Sequence, residues 1–261
     1  MRQFSAEYLE TTREGMWANS RDALVDLAIA SRTRILDVGA GTGELTRVLR
    51  EEASGDVVAV DADRGLLEHV DDPRLVGAAS QLPFPTDSFD LVVCQALLVN
   101  LSDPEATLRE FARVSSDCVA AIEPDNSAVT IESTVEVESP LARRARQQYL
   151  AGLDTDATLG AVRGLFESAG LEEISVRKYD HVRTVEPPYS QRAIEGARRK
   201  ASGAGLDDDR ETILSGDVTV EELDDLRQSW RAMGREVVEQ MQEGTYRQRE
   251  VVPFYVTVGH V

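Results

Sequence analysis

Short apolar runs alternate with amphipathic stretches through the first half of the chain. Ile35–Val38 is a brief apolar strand that ends in a glycine loop. Glu44–Ala53 follows with Leu45, Val48 and Leu49 on one face, the spacing of a helix. Asp56–Val60 reads as a second strand ending at Asp61, Arg64–Val70 as a short helix and Leu75–Val76 as a weak third strand. Asp90–Gln95 is a fourth, introduced by the turn LPFPTDSFD, and a helix around Glu105–Val114 leads to a fifth at 118–124. Strand and helix alternating at this pace predict an α/β domain with a mostly parallel sheet. The strands lack polar alternation, as expected when helices cover both faces of the sheet.

The pattern changes on either side of this region. Residues 5–30 read as one or two helices with an irregular apolar stripe that includes Leu9, Trp17, Leu24 and Leu27. Beyond residue 125, helices are expected at 139–151 and 158–169, the second closed by Gly170. Two longer strands are expected at 172–185 and 250–261, with polar helices between them at about 190–203 and 219–243. Thr219 and Glu222 have the spacing of a capping box. These patterns divide the chain into an N-terminal helical cap (1–30), a sheet domain (31–185 plus 250–261) and a helical insertion (186–249). That insertion is either a lid, a solvated hairpin packed on the sheet, or a dimer surface.

Composition narrows the class of protein. No apolar run reaches transmembrane length, and MRQFSAEYLETTREGMW lacks the basic start and apolar stretch of a signal peptide, so a soluble, cytoplasmic protein with no membrane partner is expected. Cys94 and Cys118 lie in apolar runs and read as buried hydrophobes. His69, His181 and His260 have no ligand spacing, so no metal is expected. The net charge is −19, and 26 of the 28 basic residues are Arg. Acidity with scarce Lys points to an extreme halophile, whose concentrated salt screens such self-repulsion. Acidity argues against a nucleic-acid partner, although in a salt-adapted proteome that argument loses most of its weight. The oligomeric state stays open.

The glycine loop carries the chemistry. It reads Gly39-Ala40-Gly41-Thr42-Gly43-Glu44, so an acid stands where a dinucleotide fingerprint needs its third glycine. Asp37, two residues upstream, repels phosphate and attracts a cation. Glycines allow close backbone approach. The loop therefore favours a ligand with an ammonium group and a nucleoside but no phosphate, which weakens a nicotinamide oxidoreductase reading.

DVGAGTG resembles the first motif of the class I S-adenosylmethionine-dependent methyltransferases. VVAVDAD, GAASQLPFPTDSFDLVVCQALL and AAIEPD resemble later motifs of the subgroup that includes the ubiquinone/menaquinone-biosynthesis enzymes. The resemblance covers residues 30–125, and loosely 158–185. It implies a Rossmann-like seven-stranded sheet with the last strand antiparallel, N-terminal helices and a helical insertion between the last two strands. It implies S-adenosyl-L-methionine as cofactor, with Gly39 and Gly41 against its methionine portion, Ala40 and Gly43 completing the loop, and Asp37 holding the amino group. Asp61 takes both ribose hydroxyls, Ala62 sits beside the adenine, Ala79 and Ser80 border the base, and Gln95 lies at the methionine end. Ala78 stands where relatives often carry an Asp for the adenine amino group, so that contact passes to Ser80, Gln81, backbone or water.

The implied activity is methyl transfer to an unidentified acceptor, a small molecule in the first instance. The alternatives are the same fold acting on tRNA or protein, and a non-catalytic cofactor-binding sensor or assembly protein. Alignment of nucleophile, methyl and sulfur is the main requirement, and a base is needed only when the nucleophile loses a proton. CQALLVNL lacks the Asn/Asp-Pro-Pro-aromatic signature of amino-methylating relatives. Tyr8, Trp17, Tyr149, Tyr179, His181 and Tyr189 are candidates to face an acceptor, with His181 the weak candidate base; for all of them a core role is the plainer reading.

Overall fold

The computed structural model describes residues 5–13, 15–17 and 20–261. The chain forms two compact units, residues 1–125, 158–181 and 253–261 in the first and 126–157 with 182–252 in the second.

The first unit is built on β1 (Arg34–Val38), β2 (Asp56–Asp61), β3 (Arg74–Val76), β4 (Phe89–Gln95) and β5 (Ser115–Pro124). The sheet runs β3-β2-β1-β4-β5-β8, with β7 (Glu172–Val185) pairing β8 (Gln248–His260). β1 pairs in parallel with both β2 and β4, while β8 runs antiparallel to β5 in the register Cys118↔His260 to Pro124↔Phe254. The parallel majority and the antiparallel last strand are as expected. Residues Ile35–Val38 and Leu91–Gln95 are buried throughout because helices cover both sheet faces. Leu36, Val38, Val60, Val92, Cys94 and Val119 share one core with Leu108, Phe111 and Phe166 from the flanking helices.

The helices of this unit are α1 (Ala6–Arg13), α2 (Glu44–Glu52), α3 (Arg64–Leu67), α4 (Pro104–Val114) and, after α5 (Glu138–Ala151) of the second unit, α6 (Arg163–Ser168). Between α1 and β1 the chain makes 3-10 turns (Arg21–Leu27, Ile29–Ser31) joined by Ala28 at φ 50°, rather than a second α-helix. The helix expected over 158–169 begins only at Arg163. Gly160 sits at φ 51° and donates its N–H to the Pro124 carbonyl, which holds the preceding residues in an irregular turn. Gly170, at φ 86°, follows the end of α6 as expected.

The second unit contains α5 (Glu138–Ala151), α7 (Gln191–Ser202), α8 (Ala204–Asp208), α9 (Arg210–Ser215) and α10 (Val220–Gln242). Among the described residues it also supplies the strand that raises the count from the expected seven to eight. β6 (Thr130–Ser133) pairs antiparallel with Gln248–Val251 of β8, and its exposed and half-buried residues gave it no apolar signature. The Thr219–Glu222 capping box opens α10. Gly234 lets α10 lie on α7, since a Cβ there would stand 2.3 Å from the Ala201 nitrogen. Among the described residues no helix is long and apolar enough to cross a membrane.

Candidate functional site

The sheet reverses its strand order between β1 and β4, so the loops after these strands diverge and leave a crevice at their carboxyl ends. A cavity of about 430 Å³ occupies that place, wholly within the first unit. Its volume falls in the range of small-molecule sites.

The glycine loop forms one wall. Gly39 and Gly41 adopt φ of 74° and 55°, a region that side chains disfavour. A Cβ on Gly39 would stand 2.9 Å from Leu97 Cδ1, and one on Gly41 would stand 3.1 Å from Leu9 and 3.2 Å from the Arg13 guanidinium. The N–H groups of Gly39 and Ala40 donate to the Val60 carbonyl at 2.8 and 3.1 Å, which ties the loop to β2. Asp61, at the end of β2, accepts from the Gly41 N–H on Oδ2 and the Asp63 N–H on Oδ1, each at 2.8 Å. Its carboxylate lies at the cavity wall beside Ala62.

Asp37 lies beneath the loop, 1% exposed. Thr46 donates to its Oδ2 at 2.6 Å, and its Oδ1 has no hydrogen-bond partner among the described residues. Burial pushes the Asp37 carboxyl up to about 6, against the pull of the Thr46 hydroxyl and the Arg13 charge. Arg13, from the end of α1, lines the cavity and donates weakly to the Gln95 carbonyl at 3.5 Å. Burial lowers the Arg13 pKa, while the charges of Asp37, Asp61, Glu123 and Glu44 pull it back up.

The expected site residues divide into three groups. Gly39, Gly41, Asp61, Ala62 and Ala79 line the cavity. Ala40, Gly43 and Asp37 stand behind that wall: Ala40 packs on Ala59 and Leu67, and Gly43 caps α2 at φ 81°. Ser80 is exposed and does not line the cavity. Gln95 is buried at the end of β4, where its Oε1 accepts from Trp17 Nε1 at 3.3 Å and its Nε2 faces Met16 Sδ at 2.9 Å.

An aromatic layer adjoins Gln95. Trp17 leans on Tyr179 with ring centroids 5.5 Å apart, and Tyr179 stacks on Phe254 at the same distance. The Tyr179 hydroxyl is buried without a hydrogen-bond partner among the described residues, and its pKa is pushed well up by burial. His181 is 4% exposed and stands edge-on to Phe254, away from the cavity lining. Tyr149 and Tyr189 belong to cores of the second unit, and the side chain of Tyr8 falls outside the described residues.

Sequence reasoning missed Arg13, Leu97, Asn100 and Arg64, which also line the cavity. It also gave no role to Glu123, a fully buried acid closing an apolar strand. An acid ending an apolar strand was the available signal, as it was for Asp61 at the end of β2.

Residues 36–117 match the family model described as a methyltransferase domain. A ubiquinone/menaquinone biosynthesis C-methyltransferase of Vibrio vulnificus is 30% identical over 125 residues, covering 42% of this chain and 45% of the relative. A demethylmenaquinone methyltransferase of Corynebacterium urealyticum is 36% identical over 106 residues, covering 40% and 45%. The chain thus spans under half the length of these relatives. Among solved structures, a candidate methyltransferase of Bacillus halodurans superposes with a TM-score of 0.50 at 14% identity, covering 93% of this chain and 98% of that one. A complex of the Haloferax volcanii Trm112 methyltransferase activator with a candidate methyltransferase gives 0.51 at 17% identity, covering 98% and 92%. At these identities the structural likeness is one of fold.

Proposed function

We propose that this protein is an S-adenosyl-L-methionine-dependent methyltransferase acting on a small-molecule acceptor, and that it works in concentrated salt. The observation that carries the reading is the pairing of the glycine loop with two acids of different character. Asp61 lines the cavity and keeps acceptor capacity beyond its two backbone bonds, which suits a ribose diol. Asp37 holds a buried oxygen without a partner among the described residues, which suits an ammonium group reached directly or through water. Arg13 supplies the complementary cation for a carboxylate. An ammonium, a carboxylate and a nucleoside together describe this donor, whereas a pyrophosphate would meet Asp61 and find Glu44 at the start of α2.

When bound, the donor supplies a methyl group activated on a sulfonium. The protein's part is to hold that group, exclude water and align an acceptor. Trp17, Tyr179 and Phe254 stack on one another beside Gln95 outside the cavity lining, so they are given a packing role and not an acceptor contact. The quinone-related names of the two relatives are consistent with a small-molecule acceptor. His181 has no evident access to a bound acceptor and is not assigned a catalytic role.

Calorimetric titration with S-adenosyl-L-methionine and with NAD, in molar potassium chloride, tests the reading. Binding of the methyl donor alone, weakened at least ~10-fold by Asp61→Ala, is expected from the loss of a charged acceptor. A folded wild type that takes no methyl donor overturns it.

A further inference from the structure

We infer that Glu123 is the positioning residue for the loop that walls the donor cavity: its carboxylate, buried at the end of β5, holds residues 96–100 in the shape that seats Leu97 against Gly39. The inference rests on the donor reading above.

Three backbone bonds converge on this one side chain. Oε1 accepts from the N–H groups of Leu97 at 3.1 Å and Leu98 at 2.9 Å, and Oε2 accepts from Val99 at 3.3 Å. These are the first N–H groups of the short 3-10 helix Leu98–Asn100, whose own N-cap, Leu97, offers no side-chain acceptor. The cap therefore comes from the neighbouring strand. Around it the loop is tied by two further bonds. The Ala96 N–H donates to the Ile122 carbonyl at 2.8 Å, and Asn100 Nδ2 donates to the Ala96 carbonyl at 2.8 Å. Ala96 makes the tight turn with a φ of 49°.

The loop so held is part of the cavity. Ala96, Leu97 and Asn100 all line it, and the Leu97 side chain fills the space that a Cβ on Gly39 would need. Glu123 itself is fully buried and does not line the cavity. It acts on the donor only through the loop.

A carboxylate suits this place because it is acceptor-only, and all three partners are donors. The same arrangement is vulnerable to protonation. Cys94 on β4 places its thiol 3.8 Å from Oε1, Arg13 on α1 and Asp37 on β1 are the nearby charges of the site, and Tyr255 is the register partner on β8. Burial pushes the Glu123 carboxyl up to about 7, against the pull of the three N–H groups. Protonation converts one acceptor oxygen into a donor facing N–H groups. Donor affinity then falls as pH drops through 7.

The test combines Glu123→Gln with Asp37→Asn, each titrated with S-adenosyl-L-methionine from pH 5.5 to 8.5. Amide hydrogen exchange at residues 97–99 is followed without donor. Glu123→Gln is expected to raise the donor Kd by on the order of 10- to 100-fold at pH 8, the effect of replacing one charged acceptor by a mismatched amide. It is also expected to speed exchange at 97–99 and to abolish the step near pH 7. Asp37→Asn is expected to keep that step. Wild-type donor affinity and pH profile in a folded Glu123→Gln overturn the inference and leave the donor reading standing. If Glu123→Gln does not fold, the step near pH 7 in Asp37→Asn decides, and its absence overturns the inference. A wild type that binds no donor at any pH overturns the donor reading and this role together.

Discussion

The Thr46 hydroxyl donates to Oδ2 of Asp37 at 2.6 Å and leaves Oδ1 of the same buried carboxyl with no partner among the described residues. Half of the acid is thus fixed by α2, and the other half is kept for something else. Because burial raises its pKa to about 6, the folded protein holds the Asp37 proton after the unfolded chain has released it.

The sign of the resulting pH dependence follows from that difference. Below pH ~4 both states carry the proton and no penalty exists. Between pH 4 and 6 the unfolded chain releases this proton while the folded state keeps it, so stability falls by up to about 3 kcal/mol across that window and levels off once the folded carboxyl has ionised above 6. An ammonium group placed at Oδ1 relieves the penalty, so donor binding below pH 6 releases a proton. Calorimetry in two buffers of different ionisation enthalpy measures the release. Asp37→Asn is expected to flatten the stability profile between pH 4 and 6 and to remove its share of the proton release. An unchanged profile in that variant would assign the titration elsewhere.

Gly39 faces both a conformational and a steric demand, with φ at 74° and Leu97 at 2.9 Å from any added Cβ. Gly39→Ala is expected to cost about 1–2 kcal/mol from the left-handed backbone alone. The required shift of Leu97 adds a loss of donor affinity. Gly170→Ala offers the control, since it has the same sign of φ, 86°, but open space around the missing Cβ. Urea denaturation should show both variants destabilised, and only Gly39→Ala should weaken donor binding.

The legible parts of the site were those that lie close together in sequence. β1, the glycine loop and α2 form one local unit, because a short apolar run, left-handed glycines and an amphipathic helix follow each other within twenty residues of Arg34. Asp61 was found because it ends the next strand. Arg13 and Gln95 meet across 82 residues of chain, and no periodicity encodes such a contact. Gln95 was placed on the right strand, but its amide is engaged by Trp17 and Met16 from the N-terminal segment. Residues 126–157 and 182–252 gather into one unit although 158–181 return to the first. That interruption hides their association from any reading that runs along the chain.

Within the second unit, Glu138 is 1% exposed and is ringed by donors. Lys200 Nζ pairs with it, Tyr246 donates at 2.8 Å, Ser133 at 2.5 Å and Gln248 Nε2 at 3.2 Å. Lys200 is one of only two lysines in a chain with 26 arginines. A compact ammonium fits a carboxylate already crowded by three other donors, where a planar guanidinium would have to displace one. Lys200→Met is expected to cost about 3–5 kcal/mol, because it strands a buried charge. Lys200→Arg should also destabilise, by about 1–3 kcal/mol, through overpacking. Tyr246→Phe should cost about 1.5–3 kcal/mol as one hydrogen bond to a charge. Thermal melts of the three variants in the same salt check the ranking, and a Lys200→Arg variant as stable as wild type would show that charge alone matters here.

Salt dependence follows from the net charge of −19. Many ion pairs among the described residues are exposed, such as Arg21 with Glu51, Arg109 with Glu105, and Arg199 with Asp208, and exposed pairs contribute little each. Screening therefore acts mainly on the excess of acids. At ~0.1 M salt the Debye length is about 10 Å, long enough for carboxylates on neighbouring elements to repel, and at ~1 M it shrinks to about 3 Å. Screening weakens the attractive pairs too, but with 47 acids against 28 bases repulsion outweighs attraction. The melting temperature is expected to rise by roughly 5 °C or more between 0.1 and 2 M potassium chloride, a gain of about 1–2 kcal/mol for a chain of this size. Because the gain comes from screening, it should track ionic strength, and sodium chloride at equal concentration should reproduce the rise. A melting temperature that stays flat or falls across the series would show that the arginine pairs already balance the acids, and would remove the basis for placing this protein in concentrated salt.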